Sequence, residues 1–269
     1  MRKLLPALLW IPLVSCGGGG SGGGPAPTPT VTNIVINGPE GPYLVRESYT
    51  FSATVTLSNG QTQAASGTWG GDAPTVGTMA NGVFAGVGPG EVTIWIDVTQ
   101  GGRATKRLRV YPSYNAAWVG SYRVTSCTDS GEIRSQARFC RDNFARGDIL
   151  PLGLSMSQNG LSVTTTVYLG QLEFNPATST MAEDGRLQVN ARYDDEGLMI
   201  DAVLQLFQPQ ATSVGGTINH TWTVQGATGS GRLAGDLVDV VRQAGAGAAP
   251  MVAPRRSFEE MLEAIKREP

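Results

Sequence analysis

Histidine is almost missing from this chain: His220 is the single one in 269 residues. That excludes a multi-histidine metal centre and leaves little for histidine-based acid–base catalysis. Cysteine is nearly as sparse, with only Cys16, Cys127 and Cys140. None of them forms a C-x-x-C pair, so redox-active thiol chemistry is not expected. Charged residues make up 16% of the chain and the net charge is −2. Without any run of Lys or Arg, a general nucleic-acid binder is excluded. A helix needs about 20 apolar residues to cross a bilayer, and the longest apolar run here, Leu4–Val14, has eleven. No P-loop, EF-hand loop or nucleophile elbow is present. The chain therefore reads as non-enzymatic, with no cofactor and no metal implied.

Glycine and proline are abundant, 36 and 16 residues. They point to turns and linkers rather than long helices. Arg2 and Lys3 precede the apolar run, which ends in Leu13-Val14-Ser15-Cys16. A short positive stretch followed by a short apolar core reads as a signal peptide, residues 1–15. The Leu-x-x-Cys ending resembles bacterial lipoprotein signals. That resemblance implies cleavage before Cys16 and attachment of lipid to its sulfur. Gly17 follows the cysteine where an Asp commonly implies inner-membrane retention, so the resemblance implies the outer membrane. Residues 16–30 then form a tether of Gly, Ser, Pro and Thr. Its reach as a coil is about 20 Å.

Residues 31–112 carry repeated strand signals separated by turn signals, the pattern of an all-β domain. Tyr49, Phe51, Ala53, Val55 and Leu57 recur at period 2, as do Val92, Ile94, Ile96 and Val98. Asn81-Gly82 predicts a hairpin turn. Trp69 reads as a core residue. The succession TFSATVTLSNG, GTW, NGVFAGVGPGEVTIWI and RLRVYP is similar to the group 2 bacterial immunoglobulin-like domain of invasin- and intimin-type surface proteins. Trp69, Gly82, Val83, Gly86 and Gly90 carry the likeness. It implies a β-sandwich used as a spacer or adhesive module.

Residues 113–242 predict a second antiparallel β-domain. Alternating apolar runs at Leu152–Met156, Leu161–Val167, Leu187–Tyr193, Ile200–Leu206 and Ile218–Val224 are joined by short turns, among them Asn159-Gly160. About eight such strands would close into an up-and-down barrel; an open sandwich is the alternative. Trp118-x-Gly-x-Tyr and the GTINHTWTVQG segment resemble lipocalin-like and avidin-like barrels. That resemblance implies an interior able to hold one small apolar ligand, with Trp118, His220 and Trp222 as candidate ligand-facing residues. Export to an oxidising compartment predicts a Cys127–Cys140 disulfide, closing a polar loop. Asp194-Asp195-Glu196 lacks the spacing of a calcium loop and reads as a solvated turn.

Residues 243–269 predict a linker and a short amphipathic helix. Ser257 and Glu260 fit a capping box, and Phe258, Met261, Leu262 and Ile265 share one helical face. Such a helix would dock on its own barrel or in a partner's groove. Together these features predict an all-β, lipid-anchored protein of the cell envelope. Its role would be structural or adhesive, toward a protein or glycan partner. The alternative is a carrier of a small apolar ligand.

Overall fold

The period-2 stretches become strands with one buried edge. The computed structural model describes residues 28–135, 138–195 and 197–243. The expected signal peptide, Cys16 and the expected C-terminal helix lie outside the described residues. The first module comprises β1 (Val31–Asn37), β2 (Tyr43–Leu44), β3 (Ser48–Thr50), β4 (Ser52–Leu57), β5 (Thr62–Ala64), β6 (Gly67–Gly71), β7 (Gly77–Ala80), β8 (Val83–Gly86), β9 (Gly90–Val98) and β10 (Arg103–Tyr111). Strands β3 and β4 are halves of one extended run. They meet at Phe51, whose N–H donates to the Gly82 carbonyl at 2.7 Å.

One layer pairs β1 with β4 and β3 with β8, and β8 with β7; β5 folds back on β4. The other layer runs β2-β10-β9-β6, with β2 parallel to β10. These layers make a β-sandwich. Tyr43, Phe84, Val92, Ile94, Leu108 and Val110 form one buried cluster between the layers. Ala53, Val55, Ile96 and Val98 form a second, and half-buried Trp69 packs against both. Asn81 and Gly82 take φ of 49° and 78°, the mirror-image turn that matches strand twist.

The second module comprises β11 (Ala116–Asp129), β12 (Ile149–Asn159), β13 (Ser162–Leu169), β14 (Leu172–Glu173), β15 (Ala177–Thr180), β16 (Leu187–Asp195), β17 (Leu198–Gln210), β18 (Ser213–Val224) and β19 (Gly231–Arg242). The hydrogen-bonded order is β14-β13-β12-β11-β19-β18-β17-β16, with β15 beside β13. First and last strands are thus neighbours, and the seam of the rolled sheet falls in mid-chain between β15 and β16. Pro176 has no N–H to offer a ladder, and it stands at the break between β14 and β15. Among the described residues a single bridge crosses the seam, from the Asn175 N–H to the Arg192 carbonyl at 2.9 Å. The result is a nearly closed barrel with one continuous apolar core. The turn after β12 falls one residue later than the Asn-Gly signal, because Asn159 pairs with Ser162.

Candidate functional site

The barrel interior holds all three candidate ligand-facing side chains. Trp118 enters from β11, and His220 and Trp222 enter from β18; all are buried to 2% exposure or less. Alternation on β18 puts Ile218, His220 and Trp222 on the inward face. The Trp222 Nε1–H donates to His220 Nδ1 at 2.5 Å. Nδ1 is therefore bare, and the imidazole proton sits on Nε2, where it donates to the Tyr122 hydroxyl oxygen at 3.1 Å. Burial lowers the His220 pKa to about 3 and raises that of Tyr122. His220 is thus a neutral connector between two aromatic side chains throughout the ordinary pH range. A general base poised near neutrality is a different arrangement. Trp118 stands apart from this trio in its hydrogen bonding: its Nε1–H donates to the Tyr114 carbonyl at 2.8 Å.

One end of the barrel is corked by the excursion between β11 and β12. Cys127 and Cys140 are joined there, 5.5 Å apart at Cα. A short helix, α1 (Gly131–Ser135), and a wide helical turn, Phe139–Asn143, carry Ile133, Phe139 and Phe144 into the core. Phe139 stacks 5.5 Å from Trp222 and 4.8 Å from Phe144. The Asp129 carboxylate accepts the Cys140 N–H at 3.0 Å, and that of Glu132 accepts the Thr228 N–H at 2.6 Å. This segment is polar in composition, and the sequence reading makes it only a stapled loop. Its three apolar side chains carry no periodic signal, since no regular element spans them.

The opposite end is closed by the connection from β10. Tyr114 is fully buried, and its hydroxyl donates to the Gly185 carbonyl at 3.1 Å. Burial pushes its pKa up, and Asp184 nearby adds to the shift. Two glutamines of the barrel hold the connecting backbone. Gln158 Oε1 accepts the Tyr114 N–H at 2.7 Å, while its Nε2 donates to the carbonyls of Pro112 and Gly160. Gln208, buried, accepts from the Ser113 N–H at 3.2 Å and donates to the Ser113 carbonyl at 3.1 Å. Ala211, at the turn after β17, packs against the sandwich core. The junction is thus fixed by paired backbone groups as well as by contact. Neither glutamine stands out in the sequence, because a side-chain amide clamping a distant peptide leaves no local pattern.

Among the described residues, recesses lie on the outside. One of about 410 Å³ borders Leu187, Leu206, Phe207, Gly216 and Thr217. Another, about 580 Å³, is an open hollow between β1 and the start of β10. Asp194 pairs with Arg192 at 3.5 Å, and Asp195 accepts from the Tyr193 hydroxyl at 3.2 Å. Among the described residues no group of three metal-ligating side chains is found.

No protein-family model matches the chain, and no curated protein matches it. Among solved structures, domains 5–6 of the S-layer protein SbsC align with 77% of this chain and 98% of theirs, at 12% identity. The TM-score of 0.27 is too low for that likeness to carry an argument about this chain.

Proposed function

We propose that the chain is a lipid-anchored, non-catalytic protein of the cell envelope, in the outer membrane, whose two β-modules serve as a stiff spacer or adhesive strut. The observation that carries this reading is the closure of the barrel. Its interior is occupied by side chains, and its ends are shut by the disulfide-bearing excursion and by the clamped connection. A ligand carrier needs an accessible concave apolar pocket, and Trp118, His220 and Trp222 are committed to one another and to the protein's own groups. Recognition of a protein or glycan partner then falls to exposed loops and outer faces. The first module is read as a group 2 bacterial immunoglobulin-like domain, on the motifs around Trp69 and Gly82. Cys16 is read as the site of lipid attachment.

Two measurements test this. The full precursor, expressed in a diderm bacterium, is expected in the membrane fraction, and Cys16→Ala is expected to release it; a variant that still sediments with membranes overturns the anchor. Titration with an apolar fluorescent probe is expected to give no saturable quenching of the tryptophans. Saturable quenching that Trp222→Phe abolishes would restore the carrier reading.

A further inference from the structure

The recess of about 410 Å³ opens at the seam, between the end of β15 and the start of β16. Missing side chains make room for it. Gly215 and Gly216 are consecutive on β18, where the β18–β19 register shifts between Val214 and Thr217. Gly216 takes a φ of 144°, and a Cβ there would fall 2.0 Å from the Gln205 carbonyl oxygen. Glycine is therefore required at this bulge. Phe207, opposite Gly215, rests the end of its ring on that bare position; a Cβ at Gly215 would fall 2.7 Å from it. Phe207 is nevertheless 45% exposed. Main chain backs the ring on one side, and solvent meets it on the other.

A row of polar side chains lies one pleat repeat away, about 7 Å along the sheet. Gln188 on β16 pairs with Gln205 on β17, and Gln205 with Thr217 on β18. All three share the outer face with Phe207, since Leu187, Leu206 and Ile218 between them are buried inward. Among the described residues the Gln205 carboxamide and the Thr217 hydroxyl make no hydrogen bond. Gln188 uses only its Nε2, which donates to Asn190 Oδ1 at 3.3 Å. The charged groups at the rim, Asp184 and Arg186, pair with each other at 3.3 Å. The lining is thus electrically neutral.

Each feature narrows the ligand. Neutrality offers no net attraction to a phosphate or a polycarboxylate. A purely apolar guest would cover carboxamides and a hydroxyl without pairing them. Those groups both donate and accept, as sugar hydroxyls do. The negative face of an aromatic ring attracts groups of partial positive charge, which the C–H face of a pyranose supplies. The volume lies within the range of small-ligand sites, about 300–1,000 Å³.

We propose that this recess binds a neutral saccharide, with one pyranose stacked on Phe207 and neighbouring hydroxyls bonded to Gln188, Gln205 and Thr217. The site rests on the adhesive reading above and gives its glycan partner a place and a chemical class.

The test uses the whole chain with Cys16→Ser, titrated with cellotriose, maltotriose, chitotriose and, as an anionic control, trigalacturonic acid. At least one neutral trisaccharide is expected to bind saturably and to shift the amide resonances of Gln205, Phe207 and Thr217. Phe207→Leu keeps apolar bulk without the π face; it is expected to weaken binding by about tenfold at an unchanged melting temperature. Phe207→Tyr is expected to bind as the parent does, and Gln205→Ala about fivefold more weakly. Binding of none of the neutral sugars, equal affinity in Phe207→Leu, or a preference for trigalacturonic acid overturns the proposal. Membrane fractionation of Cys16→Ala reads the anchor independently, so the saccharide site and the anchored strut can fail separately.

Discussion

The two modules are both antiparallel β-structures, yet they hold themselves together differently. The sandwich keeps a thin core in two clusters, with Trp69 only half-buried between them. No disulfide falls within it, and its outer face carries exposed ion pairs such as Arg103–Asp97 and Arg107–Glu91. Pairs of that kind contribute little to stability. The barrel instead surrounds one continuous core and adds a disulfide, an aromatic cork and a buried Trp–His–Tyr relay of hydrogen bonds. A closed sheet can bury inward side chains from all its strands against one another, whereas two facing layers meet along a single plane. The difference teaches where each module tolerates change: the sandwich at its surfaces, the barrel only on its outer wall.

Perturbations aimed at one module sharpen this contrast. Trp222→Ala should have the largest effect, since it opens a cavity beneath Phe139 and unpairs His220. Loss of a buried large aromatic typically costs about 3–5 kcal/mol. Calorimetry should show the barrel transition falling while the sandwich transition stays; if both fall together, the clamped junction makes the chain one cooperative unit. Reduction of Cys127–Cys140 comes next. The closed loop is short, so the chain-entropy model gives about 3 kcal/mol, read as a lower barrel melting temperature in reductant with no change in the sandwich.

Acid should also separate the modules. His220 binds its proton with a pKa of about 3 in the folded chain, against about 6.5 unfolded. The unfolded chain therefore takes up more protons between those values. Its contribution is fully present above pH 6.5 and is lost as pH falls, by at most about 1.4 kcal/mol per pH unit. Denaturant melts at pH 7 and pH 5 should show a barrel weakened at pH 5, and His220→Gln should flatten that dependence. The smallest effect is expected at the junction. Gln208→Ala strands the Ser113 N–H and carbonyl, a cost of about 1–2 kcal/mol. Small-angle scattering should then show a wider spread of inter-module distances, and an unchanged profile would mean that Gln158 and Ala211 suffice.

Much of the fold was legible in the residues. Ile200, Ala202, Leu204 and Leu206 alternate in the sequence and are all buried in the barrel. Asn81-Gly82 adopts the turn its chemistry favours. Trp118, His220 and Trp222 could be placed on an inward face, because period 2 decides that. What period 2 leaves open is whether an inward face meets ligand or protein. Phe139 and Phe144 pack into the core at one end, and they come from an irregular segment whose composition is polar.

The sequence by itself determined an all-β chain with inward-facing runs and a tight turn at Asn81-Gly82, since each follows from local patterns of a few residues. Only the tertiary structure decided that the seam lies between β15 and β16, that Cys127 and Cys140 secure a cork, and that Gln158 and Gln208 hold the connecting backbone at Pro112, Ser113 and Tyr114. Those outcomes join residues from 13 to 95 positions apart. Packing selects such long-range pairings from many that the local pattern allows equally.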